Sequence, residues 1–141
     1  MHSITNPVIR RVRWVMLVVM LFDFTLTLIG QPGDYWHHST TTNERNQFFR
    51  FFLTQGYVPF IIFMLGYVVA AFWFVSRIRS RVAAIGLVSI ILGHYYGAST
   101  WLDRHWGYGT RSAIIYGIVL AVGLIVVGLP SSAEAKSPTR R

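Results

Sequence analysis

The chain has no cysteine. That excludes a disulfide, a thiolate metal site, an iron–sulfur cluster and a cysteine nucleophile. Charge is scarce too. Of 141 residues only 13% are charged and only five are acidic, whereas a soluble domain typically carries about 25% charged residues. Carboxylate chemistry therefore has few places to sit. No Gly-rich phosphate loop, nucleophile elbow or H-E-x-x-H helix is present, and there is no internal repeat. What the chain does have is apolar surface: it is 53% hydrophobic and 16% aromatic. This is the composition of a membrane protein.

Four apolar runs have spanning length, at residues 12–30, 57–75, 82–102 and 113–129. About 20 residues cross a hydrocarbon core as a helix, and only helices or closed barrels can span it, because every backbone N–H and C=O needs an internal partner. The expected fold is thus an all-α integral membrane protein with four transmembrane helices. Residues 1–130 form the membrane domain, and the Pro/Ser-rich residues 131–141 form a disordered cytoplasmic tail. The first run is read as a retained helix rather than a signal peptide, because it lacks an A-x-A-like exit and three more runs follow.

The formal charge of +8 does not imply nucleic acid, because the basic residues sort by side. Arg10, Arg11, Arg13, Arg77, Arg79, Arg81, Lys136, Arg140 and Arg141 fall on one side, and Arg45, Arg50, Arg104 and Arg111 on the other. The positive-inside rule then puts both termini in the cytoplasm of the plasma (inner) membrane. The partners this implies are the lipid bilayer, other membrane proteins or further copies of the chain. Trp14 and Trp73 mark the inner interface. Tyr35, Trp36, Tyr57, Trp101, Trp106 and Tyr108 mark the outer one.

The first outer segment, residues 31–56, is long. Pro32-Gly33-Asp34 is turn chemistry. Thr41 with Glu44 matches a capping box, which predicts a helix from about Thr42 that is too short to span. Its phenylalanines suit the outer interface, or a lid over an intramembrane pocket.

Two polar residues lie at membrane depth. Asp23 is about 10 Å inside the outer end of its run and His94 about 12 Å inside its own, at the helical rise. A charged side chain there costs roughly 2.5–3.5 kcal/mol, so it faces the bundle and a partner. The economical expectation is that Asp23 and His94 meet, either as a structural clasp between helices or as part of a site. Asp23, Thr27 and Gln31 form one polar stripe. Small residues at four-residue spacing, Ser89, Gly93 and Gly97 and then Ala113, Gly117 and Ala121, are expected to let helices pack closely.

The constellation Asp23…Thr27…Gly30-Gln31-Pro32…Tyr35-Trp36, Asn43-Glu44-x-Asn46 and Gly93-His94-x-x-Gly97…Trp101 resembles small bacterial integral membrane proteins of unknown function. The likeness covers roughly residues 20–105, and Gln47 stands where that family's element carries proline. The resemblance implies no reaction. It implies only that Asp23, Asn43, Glu44, Asn46 and His94 belong together.

These observations frame three expectations. The leading one is a small non-enzymatic membrane component: a complex subunit, an assembly factor or a lipid-contacting scaffold. The alternative is a metal- or lipid-dependent enzyme or binding site in the outer leaflet, built on Asp23, Glu44 and His94 with Thr27, Asn43 and Trp101 around it. Two carboxylates and an imidazole suit a divalent metal, and they also suit acid–base work on a headgroup. Haem is not expected, because only one histidine lies within a run. A proton-coupled transporter is the third expectation, since an intramembrane Asp and His suit a proton relay.

Overall fold

The computed structural model describes residues 7–77, 80–105 and 109–128. These are helical with no strand. Helix α1 is Pro7–Ile29, α2 Gln47–Thr54, α3 Tyr57–Arg77, α4 Ser80–His105 and α5 Thr110–Gly128. All but α2 are long and apolar enough to cross a membrane. Each long helix runs past at least one end of its apolar run, because a helix continues into polar residues at the interface where hydropathy has already fallen. The predicted tail, and with it Lys136, Arg140 and Arg141, lies outside the described residues, as do Arg79, Trp106 and Tyr108.

Helix α1 is central. It packs most extensively on α4 and also touches α5 and α3, while α5 leans on α4 and α2 on α3. Met16, Val19, Met20, Asp23, Phe24, Leu26 and Thr27 of α1 are buried. They recur at three- and four-residue steps, the signature of one buried helical face. The outward faces are as apolar as the core: Ile62, Val69, Trp73, Ile85, Val119 and Val126 are all exposed. Exposed apolar surface on this scale marks contact with lipid or another protein rather than water. Helix α5 has no buried residue at all.

The segment between α1 and α2 is a fitted plug. Gln31 follows the end of α1 by two residues and is buried. Its Nε2 donates to the Thr27 carbonyl at 2.7 Å, and its Oε1 accepts from the Thr42 hydroxyl at 2.9 Å and the Asn43 N–H at 3.0 Å. One side chain thus pins the returning loop to the helix that launched it. Two 3₁₀ turns follow, Gly33–Trp36 and Ser39–Thr41. The Tyr35 hydroxyl donates to the Leu53 carbonyl, and the Ser39 hydroxyl to that of Thr54. The Ser39 bond caps the Thr54 carbonyl at the end of α2, and the Tyr35 bond adds to the Gly56 N–H that already reaches the Leu53 carbonyl at 2.9 Å.

Helix α2 starts later than the capping-box reading placed it. Its cap is Asn46, whose side chain accepts from the Phe48 N–H at 3.0 Å. Glu44 lies outside the helix, where its Oε1 accepts from the Asn46 N–H at 2.7 Å. Thr41, the expected cap, lies instead in the second 3₁₀ turn, where its hydroxyl donates to the His38 carbonyl at 2.8 Å, and the Glu44 N–H goes to the Thr42 hydroxyl at 3.4 Å. Gln47 is the first helical residue, a position whose free N–H makes proline acceptable. Phe49, Phe52 and Leu53 of α2 pack into the core, with Phe52 stacked on Phe63 of α3 at 3.9 Å between ring centroids. Gly56 then turns the chain into α3 at φ 110°, a conformation that L side chains avoid. Of the aromatic residues expected at the outer interface, Trp36 and Tyr57 are exposed, whereas Tyr35 and Trp101 are buried.

Candidate functional site

The end of the bundle that carries α2 has an open-sided cavity of about 500 Å³. Helix α1 contributes Asp23 and Thr27 to its lining, the α2 segment Glu44, Arg45, Asn46 and Phe49, and α3 Tyr67. One face of α4 supplies the rest, from Ser89 through Gly93, His94 and Gly97 to Trp101 and Arg104.

Asp23 and His94 meet at the cavity. Both are buried, and His94 Nδ1 lies 2.7 Å from Asp23 Oδ2. The imidazole stands edge-on to Phe24 at 4.9 Å and is tilted towards Tyr67 at 5.8 Å. A carboxylate on Nδ1 fixes the ring's orientation and directs Nε2 to whatever else the site holds. The second Asp23 oxygen, Oδ1, is buried without a hydrogen-bond partner.

Gly97 makes this arrangement possible. A Cβ at Gly97 would lie 2.7 Å from Asp23 Oδ1 and 2.8 Å from Oδ2. The carboxylate therefore occupies the space that any other residue's side chain would fill. Gly93 differs, because a Cβ there would meet nothing within 4 Å. Ser89 and Gly93 line the cavity on the exposed side of α4 instead of fitting against a neighbouring helix. The α5 series divides as well. A Cβ on Gly117 would lie 2.7 Å from the Tyr95 hydroxyl, which donates to the Ala113 carbonyl at 3.4 Å, while Ala121 is exposed.

Glu44 is half-buried in the cavity wall. Burial pushes its carboxyl above the usual range, the backbone N–H groups of Asn46 and Arg45 oppose that, Asp23 adds to the rise and Arg104 opposes it. Trp101 is buried, and the Arg104 guanidinium lies 5.8 Å from its ring. Asn43 does not line the cavity; its N–H is spent on Gln31.

The metal triad considered from the sequence is not assembled. Among the described residues, no group of three or more His, Asp or Glu side chains is placed to hold a metal ion. The local bonding explains this: Glu44 Oε1 is turned back onto its own loop at Asn46, while Asp23 Oδ2 is engaged by His94. His37 and His38 are exposed in the loop and do not line the cavity.

Arg45, Tyr67 and Arg104 line the cavity without having been expected there, whereas Phe49 belongs to the helix expected at the interface or over a pocket. In the sequence, Arg45 and Arg104 count equally well as topology anchors, and Tyr67 as an ordinary apolar position. The helical spacing Gly97–Trp101–Arg104 was the available signal for Arg104.

Comparison of the chain with family models, curated proteins and solved structures finds no match. The class defined by fold and site is a multi-pass helical membrane protein whose one buried Asp–His pair, among the described residues, borders a cavity at the loop end of the bundle.

Proposed function

We propose that the chain is a membrane-embedded binding protein that holds a small polar molecule or a lipid headgroup in the cavity beside Asp23 and His94. The observation that carries this reading is the convergence of Asp23, Thr27, Glu44, His94 and Trp101 on one cavity of about 500 Å³. Pockets of roughly 300–1,000 Å³, mostly apolar with a few placed polar groups, are the usual dimensions of ligand sites. A purely structural clasp would need no adjoining space. Asp23 orients the imidazole through Oδ2, and Asp23 and His94 Nε2 together meet the ligand. In the proposed orientation both termini are cytoplasmic in the plasma (inner) membrane, and the cavity lies in the outer half of the bilayer. The distribution of basic residues supports this.

Native mass spectrometry of the full chain, extracted in mild detergent, tests the reading. Wild type should retain a stoichiometric small-molecule or lipid adduct. Asp23→Asn and His94→Ala should lose it while keeping their helical circular dichroism. Equal adducts in all three would count against the site.

A second reading, a subunit or scaffold in a larger membrane assembly, is favoured by one observation: α5 buries no residue. Its measure is the mass of the detergent-extracted particle. A lone monomer under every mild condition would contradict it.

A further inference from the structure

The cavity carries charge of both signs, with Asp23 the most buried of its charged residues. Asp23 is more than nine-tenths buried, lines the cavity, and has one oxygen without a partner. A buried acceptor without a donor costs about 1–3 kcal/mol, and more when charged, so this end of the site calls for a hydrogen-bond donor. Glu44 adds a second carboxylate to the wall. Arg45 lies in the loop before α2 and Arg104 near the end of α4, where its charge opposes the rise of the Glu44 carboxyl. The Arg104 guanidinium lies over Trp101, back along α4 towards Gly97 and Asp23. Groups of both signs thus line one space that a single small molecule can bridge.

We propose that this cavity takes an ammonium–phosphate zwitterion, with the ammonium on Asp23 and Glu44 and the phosphate on Arg45 and Arg104. This rests on the binding function proposed above and names its ligand class. A simple anion would meet the two carboxylates, and a simple cation the two guanidiniums, so the charge pattern discriminates against both. Phe49, Tyr67 and Trp101 add ring surface that suits an ammonium group. The same chemistry is carried by an aminophospholipid headgroup and by free phosphoethanolamine. Ser89 and Gly93 are exposed on α4, with nothing within 4 Å of a Cβ at Gly93, and they extend the cavity along the helix. They offer acyl chains a way out to the bilayer.

The test is a native mass-spectrometric titration of the full chain with three probes: dioleoyl-phosphatidylethanolamine, dioleoyl-phosphatidylglycerol and O-phosphoethanolamine. The ethanolamine lipid or the free zwitterion should bind about tenfold or more tighter than phosphatidylglycerol, the equivalent of one charged contact. Glu44→Gln, and the pair Arg45→Gln with Arg104→Gln, should each weaken that binding by a similar factor. None of these three residues is in the closely packed core, so the variants should keep the wild-type circular dichroism. Gly93→Leu separates the two sources. It should block the lipid, and it should leave free phosphoethanolamine unaffected if that is the ligand; either pattern supports the proposal. Phosphatidylglycerol binding as tightly as phosphatidylethanolamine would overturn it while leaving the binding function intact. So would failure of all three probes in a protein that still carries a His94-dependent adduct. No probe bound and no such adduct would remove both.

Discussion

Gly93 and Gly97 allow a matched pair of substitutions on one helix. A methyl group added at Gly97 would arrive 2.7 Å from Asp23 Oδ1, 2.8 Å from Oδ2 and 3.1 Å from Cγ. The carboxylate has little freedom to retreat, since Oδ2 is held at 2.7 Å by His94 Nδ1 and the residue is buried. Overpacking of this kind costs about 1–3 kcal/mol. Alanine also improves the helix by roughly 0.5–1 kcal/mol at either position. At Gly93 nothing lies within 4 Å to oppose that gain, so Gly93→Ala should be neutral or slightly stabilising. The difference between the two variants cancels helix propensity and should be about 1–3 kcal/mol, with Gly97→Ala the less stable. Reversible unfolding in mixed micelles with increasing SDS, followed by circular dichroism, measures it. In an Asp23→Ala background the Gly97→Ala penalty should largely vanish, because the clashing atoms are gone. Equal effects at the two glycines, or an undiminished penalty without Asp23, would refute the placement of the carboxylate against α4.

Other consequences can be measured in the same system. Asp23→Ala and His94→Ala should be strongly non-additive, with a coupling of about 0.5–3 kcal/mol and a double variant little worse than either single one; additive losses would mean that the side chains do not interact. Gln31→Leu leaves the Thr42 hydroxyl and the Asn43 N–H without their acceptor. It should cost about 1–3 kcal/mol and speed tryptic cleavage at Arg45 and Arg50; unchanged cleavage would show that the loop is held by something else. Glu44 has its folded-state pKa raised, chiefly by burial. The folded chain therefore binds this proton more tightly than the unfolded one, and its contribution to stability falls as pH rises from the ordinary Glu value through the folded one. Glu44→Gln should flatten that acid-side slope, and an identical slope in both proteins would contradict the assignment.

Helix existence and the relative height of residues on neighbouring helices were legible in the sequence, because lipid forces long apolar runs into helices and the helical rise turns residue number into height. That is why Asp23 and His94 could be set level before their contact was seen. What surrounds them was less legible. Gly-x-x-x-Gly spacing reports missing side chains but not what occupies the space: at Gly97 it is a carboxylate, and at Gly93 nothing within 4 Å. The capping box failed because Gln31, eleven residues before Thr42 and invisible to a local motif, holds Thr42 and Asn43 in the loop where the helix was expected to begin, while the Thr41 hydroxyl bonds the His38 carbonyl. Arg45 and Arg104 were hidden by ambiguity, since an arginine at a helix end serves topology and a site equally well.

The contact at the centre of this account can be read from His94 itself. Nitrogen-15 NMR of the detergent-solubilised chain, labelled only at its five histidines, resolves the two ring nitrogens and shows which one is hydrogen-bonded. The structure predicts a His94 Nδ1 held by a carboxylate, with a resonance that shifts in Asp23→Asn while His37 and His38 stay where they were. A His94 spectrum indifferent to Asp23→Asn would contradict the pair, and with it the site built around it.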